Sequence, residues 1–293
     1  MKVLVVGASG FIGRALVDRL LEAGHEVEAW SRIAPPPRTG LVSRSIDLLS
    51  TADLPHPGKQ PWDAAFHLAA HTVPGLDWNQ QRILDNLVLT ARVFDHLAAT
   101  AQGCRAVFAS TGLVYAPSEK HLDENSPLAG LQPYSISKLL GETWVLGRRN
   151  DLKVYIVRPF NLIGPGMTKS LLIPDLMERI QAGALPIEMK GRDDVRDFLD
   201  RRDAIDAFMH LLTTDAPSGR IWNLCSGIPT CVSSLVKGIL RAKGMPTAVS
   251  FRNPAKEMIV GNPARLMADT GWKPRRTLDD IVSGIIAGTC GNG

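Results

Sequence analysis

The chain has 293 residues, 45% of them hydrophobic, enough for a substantial core in one large α/β unit or two intimately joined lobes. Its 26 Gly and 20 Pro fall well short of a low-complexity composition, so disorder is not expected. The formal net charge of +4 comes without a sustained basic run, which argues against nucleic acid and suits a small anionic ligand. Cys104, Cys225, Cys231 and Cys290 lack zinc or redox-motif spacing, so reduced thiols and no metal are expected. No stretch approaches 18 uninterrupted apolar residues and no cleavable leader is apparent; a soluble, cytoplasmic protein with no membrane partner is the expectation.

Residues Lys2 to Val6 form a nearly all-apolar run, as expected of a strand buried on both faces of a parallel sheet. Gly7-Ala8-Ser9-Gly10-Phe11-Ile12-Gly13 follows, and then a helical pattern with Ile12, Leu16 and Leu20 four apart and a stop at Gly24. Three glycines at a strand-to-helix turn permit a tight turn, let backbone approach a pyrophosphate, and allow helix to pack on strand. A dinucleotide site built on Gly7, Gly10, Phe11, Ile12 and Gly13 is the reading.

The next strand, Glu26 to Trp30, ends in Ser31-Arg32, where an NAD site usually carries an acidic residue for the ribose hydroxyls. A hydroxyl and a guanidinium can instead hold a 2′-phosphate, so NADP(H) is favoured over NAD(H). Ile46-Asp47-Leu48 can place a carboxylate near the adenine amino group. Ala64 to Leu68 reads as another strand, and the small residues of Leu68-Ala69-Ala70 would let backbone approach the cofactor. His67 reads as a structural side chain.

Ile83 to Ala98 is an amphipathic helix, with Asn86 near its start, and Ala106 to Ala109 a short strand that delivers Ser110-Thr111 to the carboxyl edge of the sheet. The helix Tyr134 to Leu146 follows. Tyr134 and Lys138 lie one helical turn apart, so an ammonium can sit beside a phenol and favour its ionised form. Moving a phenol from about 10 to near 7 takes roughly 4 kcal/mol of preferential stabilisation. Of the three tyrosines only Tyr134 has a Lys at i+4. A hydroxyl from a strand end and a Tyr/Lys pair from the next helix can converge over a nicotinamide.

These features resemble the extended short-chain dehydrogenase/reductases, the family of nucleotide-sugar epimerases, dehydratases and reductases. The likeness spans essentially the whole chain. Beyond the residues above it includes Phe108-Ala109-Ser110-Thr111 with Val114-Tyr115, Arg158-Pro159-Phe160-Asn161 through Gly164-Pro165-Gly166, Arg196-Asp197-Phe198, and Gly271-Trp272-Lys273-Pro274. The resemblance implies that Tyr134 carries the proton, Lys138 binds the nicotinamide ribose and tunes the phenol, and Thr111 hydrogen-bonds the reacting sugar oxygen, with Ser110 the other claimant. It also implies substrate contacts from Asn161 and from Arg196 to a diphosphate, with Arg252 as a second candidate, and a homodimer through the helices Ile83 to Ala98 and Tyr134 to Leu146. The expected architecture is a Rossmann-type, doubly wound parallel α/β sheet comprising 1–160 and about 203–224. Residues 161–202 and 225–293 are expected to form mainly an interleaved substrate lobe.

Departures from the family patterns separate activities. The 4,6-dehydratases place an acidic pair directly after the catalytic Thr; here Gly112 and Leu113 stand there, so elimination chemistry lacks its acid and base. No Cys lies near Thr111 in sequence, against the epimerase-reductases of the family. A 4-ketoreductase and a 4-epimerase remain, the former commonly taking NADPH and the latter retaining NAD, and Ser31-Arg32 favours the reductase. The substrate expected is a nucleotide-diphospho-4-keto-6-deoxy sugar, GDP-linked by similarity to reductases of GDP-4-keto-6-deoxy-mannose. A cofactor-sensing regulator on the same fold is the non-enzymatic alternative; retention of both Tyr134 and Lys138 argues against it.

Overall fold

A computed structural model describes residues 1–72, 79–167, 171–182, 187–246, 249–253 and 257–290. The first half alternates strand and helix: β1 (Lys2–Val6), α1 (Phe11–Glu22), β2 (Glu26–Ser31), β3 (Leu41–Ser45), β4 (Ala64–His67), α2 (Gln80–Thr100), β5 (Arg105–Ala109), α3 (Pro133–Leu146) and β6 (Lys153–Pro159). The smaller lobe opens with β7 (Asn161–Ile163), α4 (Leu172–Gln181), β8 (Ile187–Arg192) and β9 (Val195–Asp200). α5 (Arg201–Leu211) and β10 (Arg220–Leu224) return to the large sheet, followed by β11 (Pro229–Cys231), α6 (Val232–Ala242), β12 (Val249–Asn253), β13 (Met258–Ile259), α7 (Ala264–Thr270) and α8 (Leu278–Cys290).

The large sheet has seven strands, all paired in parallel, in the order β10-β6-β5-β4-β1-β2-β3. The chain reverses direction of winding between β1 and β4, and a Rossmann-type sheet binds its ligand at the carboxyl ends beside such a reversal. Two apolar clusters cover its faces, one built around Val3, Val5 and Phe66 under α1 and α5, the other around Leu4, Trp30 and Phe108 under α2 and α3. Leu266 and Trp272 belong to the first of these, so the chain after residue 225 contributes to the large core as well as to the small lobe. A third cluster, with Leu176, Leu235 and Ile239, is the small lobe's own.

β3 was not evident in the sequence because Val42, Ser43 and Arg44 carry no sustained apolar pattern; it is an edge strand with its outer residues exposed. α4, α6 and α7 were equally unmarked, since no strand-helix alternation frames them. α6 is sharply amphipathic, with Leu235, Val236, Ile239 and Leu240 buried, and a period-3.6 count would have found it.

Two close approaches hold the site-bearing elements. A Cβ on Gly13 would lie 2.1 Å from the Gly7 carbonyl oxygen, so only glycine lets α1 start directly against its own turn. A Cβ on Gly141 would lie 2.7 Å from the Phe108 ring, so glycine lets α3 settle onto β5. Pro133 starts α3 where an unpaired N–H would otherwise point outward, and Ser135 Oγ accepts from the Gln132 amide at 3.1 Å. Asn86 on α2 accepts from the His71 amide at 2.7 Å and donates to the His71 carbonyl and to Ser137 Oγ of α3. That one side chain joins α2, α3 and the loop after β4.

His67, read as structural, is fully enclosed. Its ring stacks on Phe108 at 5.9 Å and its Nε2 lies 3.3 Å from Thr90 Oγ1. Burial, assisted by the Lys138 charge, lowers its pKa to about 3 from an ordinary 6.5, so it is neutral in the folded protein. The unfolded chain takes up the proton first as pH falls below 6.5, and folding stability drops across the window from 6.5 toward 3. Going from pH 7 to pH 5, this group alone should remove about 2 kcal/mol. Urea unfolding of His67→Phe, which keeps the ring, should show an acid limb flatter by about that amount; an unchanged limb would refute this account.

Candidate active site

Along the carboxyl edge of the sheet runs a cavity of about 420 Å³, lined by the Gly7–Gly13 turn, by Ser31 and Arg32, by Asp47 and Leu48, and by Leu68, Ala69 and Ala70. The residues expected to hold the dinucleotide, apart from Tyr134 and Lys138, therefore share one continuous wall. Ser9 of the same turn lines it too, as do His71, Thr72 and Leu171, which no motif in the sequence marked. Gly10 precedes α1 in extended backbone, and the first turn of α1 has no acidic residue to neutralise its N-terminal dipole. A helix start of this kind is suited to a diphosphate, and the elongated cavity beyond it to the nucleotide.

At the distal end the structure divides the labour expected of Ser31 and Arg32. Ser31 is buried and its hydroxyl donates to the Ile33 carbonyl at 2.7 Å, so its proton is already engaged. Arg32 is exposed on the cavity wall, and among the described residues no carboxylate forms an ion pair with it. Asp47 Oδ1 accepts from the Leu49 amide at 3.0 Å, which orders the turn that faces the cavity.

A second cavity, about 190 Å³, adjoins the first and shares Phe11, Ile12, Leu68, Ala70 and Thr72 with it. Thr111, Tyr134 and Lys138 all line it, together with Ser110 and Phe160. The strand end, the helix and the glycine turn thus meet as the sequence suggested. Thr111 caps a 3-10 turn at 112–114, its Oγ1 accepting from the Leu113 amide at 3.2 Å, so the hydroxyl proton stays available for another acceptor. Ser110 behaves otherwise. It is buried, and its hydroxyl donates to Glu142 Oε1, so its proton is engaged while its oxygen lines the cavity beside Thr111.

Lys138 is 4% exposed; its Nζ donates to the Ala109 carbonyl at 2.7 Å and stands 4.8 Å from the Phe108 ring centre and 5.9 Å from that of Tyr134. Burial lowers its pKa to about 7, a fall that Glu142, one turn further along α3, partly opposes. Burial likewise raises Tyr134 well above the ordinary phenol value. The sequence pointed to a lowered phenol pKa; in the protein alone the low-dielectric surroundings outweigh the neighbouring ammonium. Tyr134 therefore holds its proton.

Beneath these residues lies a buried polar chain. Arg158, 2% exposed, donates to Glu142 through Nε at 2.9 Å and Nη2 at 2.6 Å, and through Nη1 to the Tyr115 hydroxyl at 2.8 Å. Tyr115 in turn donates to Asn223 Oδ1 at 2.7 Å. Burial alone would lower the Arg158 pKa, but the Glu142 contacts reverse this and raise it. Glu142 was missed in the sequence, although it continues the stripe Tyr134, Lys138, Glu142 at intervals of four on one helix face.

The substrate-lobe expectations fare less evenly. Asn161, on β7, donates from Nδ2 to the Asp197 carbonyl at 3.0 Å, which ties β7 to β9. Arg196 does not present a free charge to a cavity: its guanidinium bridges Asp194 at 2.8 Å and Glu257 at 2.9 Å. The expected diphosphate contact is thus already matched by two carboxylates. Arg252 lies on β12, but its side chain is outside the described residues. Asp197 instead emerges as an organiser, accepting from the Ser226 and Gly227 amides and the Ser226 hydroxyl at 2.7 to 2.8 Å. Among the described residues no cluster of metal-binding side chains occurs, and no helix is long and apolar enough to cross a membrane.

A parallel sheet reversed at β1 and β4, a glycine turn opening α1 and a cavity along the carboxyl edge define a Rossmann-type dinucleotide-binding protein. Residues 3–225 match the model of the NAD dependent epimerase/dehydratase family, and the chain belongs to that family of NAD(P)-dependent oxidoreductases. It is 29% identical over 303 residues to the GDP-6-deoxy-D-mannose reductase of Pseudomonas aeruginosa, covering 98% of this chain and 96% of the relative. It is 28% identical to the UDP-glucose 4-epimerase of Mycolicibacterium smegmatis, covering 97% and 96%. Among solved structures, RMD from Pseudomonas aeruginosa complexed with NADPH superimposes with TM-score 0.83 at 28% identity, covering 98% of each chain. MoeE5 in complex with UDP-glucuronic acid and NAD superimposes with TM-score 0.87 at 26% identity, covering 99% of each.

Proposed function

We propose that the protein reduces the 4-keto group of a nucleotide-diphospho-4-keto-6-deoxy sugar, GDP-linked, with NADPH as reductant. The observation that carries this reading is the composition of the inner cavity. Thr111, Tyr134 and Lys138 converge there, and among the described residues neither a carboxylate nor a cysteine lines it. Such a site can move one proton at a carbonyl oxygen, but holds no second group to remove a proton from carbon or to expel hydroxide. Similarity to the reductase from Pseudomonas aeruginosa supports the GDP-linked class.

NADPH, when bound, supplies the hydride that goes to C4. The residues of the chain manage the oxygen. Tyr134, protonated because burial raises its pKa, gives its proton to the oxygen as negative charge develops there, so ketone, hydride and proton together make the alcohol. Thr111 donates a hydrogen bond to the same oxygen while its own oxygen accepts from Leu113, which aims it. Lys138 has one N–H on Ala109; its remaining donors can hold ribose hydroxyls and favour the tyrosinate left behind.

The second reading, a 4-epimerase retaining NAD, is favoured by the likeness to the UDP-glucose 4-epimerase and to MoeE5 with NAD. The exposed Arg32 guanidinium at the distal end of the cavity supports NADPH instead, because a 2′-phosphate gains a charge-assisted hydrogen bond there. A homodimer through α2 and α3 is part of the proposal: Leu84 and Val88 on one helix and Ile136, Leu140 and Trp144 on the other are large, apolar, spaced by four and about 40% exposed.

Tyr134→Phe should lower kcat on a GDP-4-keto-6-deoxyhexose by about 10²- to 10⁴-fold while NADPH affinity stays within about twofold; near-normal turnover would sink the assignment. In fluorescence titrations Arg32→Ala should weaken NADPH by about tenfold or more and leave NADH unchanged, and equal loss of both would remove the basis for NADPH. Light scattering should report a dimer that Ile136→Glu with Leu140→Glu converts to monomer, and a monomeric wild type would overturn that interface.

A further inference from the structure

The ring of Phe160 sits in a slot that only glycines leave open. A Cβ on Gly112 would lie 2.9 Å from Phe160 Cδ2 and 3.0 Å from its Cε2 and Cγ; a Cβ on Gly261 would lie 2.7 Å from Cζ and 2.8 Å from Cε2. Both distances are below any real carbon–carbon contact, so a side chain at either position and this ring position exclude one another. Tyr115 stacks on the ring at 6.2 Å with planes 28° apart, and Tyr115 is anchored by Arg158 and Asn223. Phe160 is therefore a rigid wall of the inner cavity, directly beside the residue that follows Thr111.

We propose that Phe160 is the specificity-determining residue of this site: it occupies the space of a side chain at 112 and presents an apolar surface to the methyl group on C5 of a 6-deoxy sugar. The inference rests on the substrate class proposed above and adds which residue selects it. Thr111, Tyr134 and Phe160 line one small cavity, so a sugar whose C4 oxygen lies between Thr111 and Tyr134 can turn a flanking carbon, C3 or C5, toward Phe160. C3 carries a hydroxyl, which would lose its hydrogen bonds to water against a phenyl ring without replacement. C5 of a 6-deoxy sugar carries a methyl, which gains from the same surface. Leu162 and Pro159 line the same cavity and extend the apolar wall. The choice of flanking carbon therefore follows from desolvation. A 6-hydroxymethyl or 6-carboxylate sugar would bring a polar group to that wall, and among the described residues lining the inner cavity the only formal cation is Lys138.

Isothermal titration with NADPH present should show GDP-6-deoxy-D-mannose binding about tenfold more tightly than GDP-D-mannose. Phe160→Ala should reduce that ratio to about twofold or less, mainly by weakening the 6-deoxy sugar. Phe160→Leu, which keeps most of the apolar volume and serves if the alanine variant does not fold, should give an intermediate ratio. A ratio in either folded variant equal to the wild-type ratio overturns the role of Phe160, as does a wild type that binds both sugars equally. Failure of both GDP-sugars to bind the wild type overturns the proposed substrate class, and this inference with it.

Discussion

The ion pair between Arg158 and Glu142 is the contact on which the rest of the site depends. It is buried, bidentate, and joins β6 to α3; Ser110 at the end of β5 adds a third element and Tyr115 with Asn223 of β10 a fourth. Taking two charges out of water is costly, and the attraction between them offsets that cost only when every remaining donor and acceptor is used. Here they nearly all are. The arrangement is better understood as registering strands and helix than as a source of net stability, because an apolar substitute of equal volume would also pack but would not orient four elements at once.

Above that pair, one helix face carries Tyr134, Lys138 and Glu142 in sequence from the cavity toward the interior. Their environments grade accordingly. Burial raises the Tyr134 pKa and brings Lys138 down to about 7, and Glu142 pairs with Arg158 at 2.6 Å. A bound group bearing hydroxyls or negative charge would alter the balance at Lys138 most directly.

In the proposed reading, selectivity is distributed away from the residues that move the proton. Arg32 closes the distal end of the long cavity, Ser31 serves the fold through Ile33, and Phe160 shapes the inner end where the sugar would lie. Arg196 and Asp197, adjacent on β9, divide in the same manner: one is neutralised by Asp194 and Glu257, the other organises the turn at 226–227 and the backbone near 261. These polar links knit the small lobe together, which has an apolar cluster of its own and meets the large sheet's core through Leu199, Leu266 and Trp272.

The amino-acid sequence determined the alternation of strand and helix up to α3, β3 excepted, the glycine turn, and the Tyr134–Lys138 spacing, because buried parallel strands, tight turns and helix faces are local patterns with short periods. It also determined what is missing after Thr111, where Gly112 and Leu113 stand. Only the tertiary structure decided which of two neighbouring hydroxyls has its proton engaged, since Ser110 donates to Glu142 thirty-two positions away. Likewise it decided that Arg196 is already paired, that Ser31 is engaged, and that burial outweighs the lysine at Tyr134. Each depends on partners brought together from distant segments, and on a local dielectric that no run of residues specifies by itself.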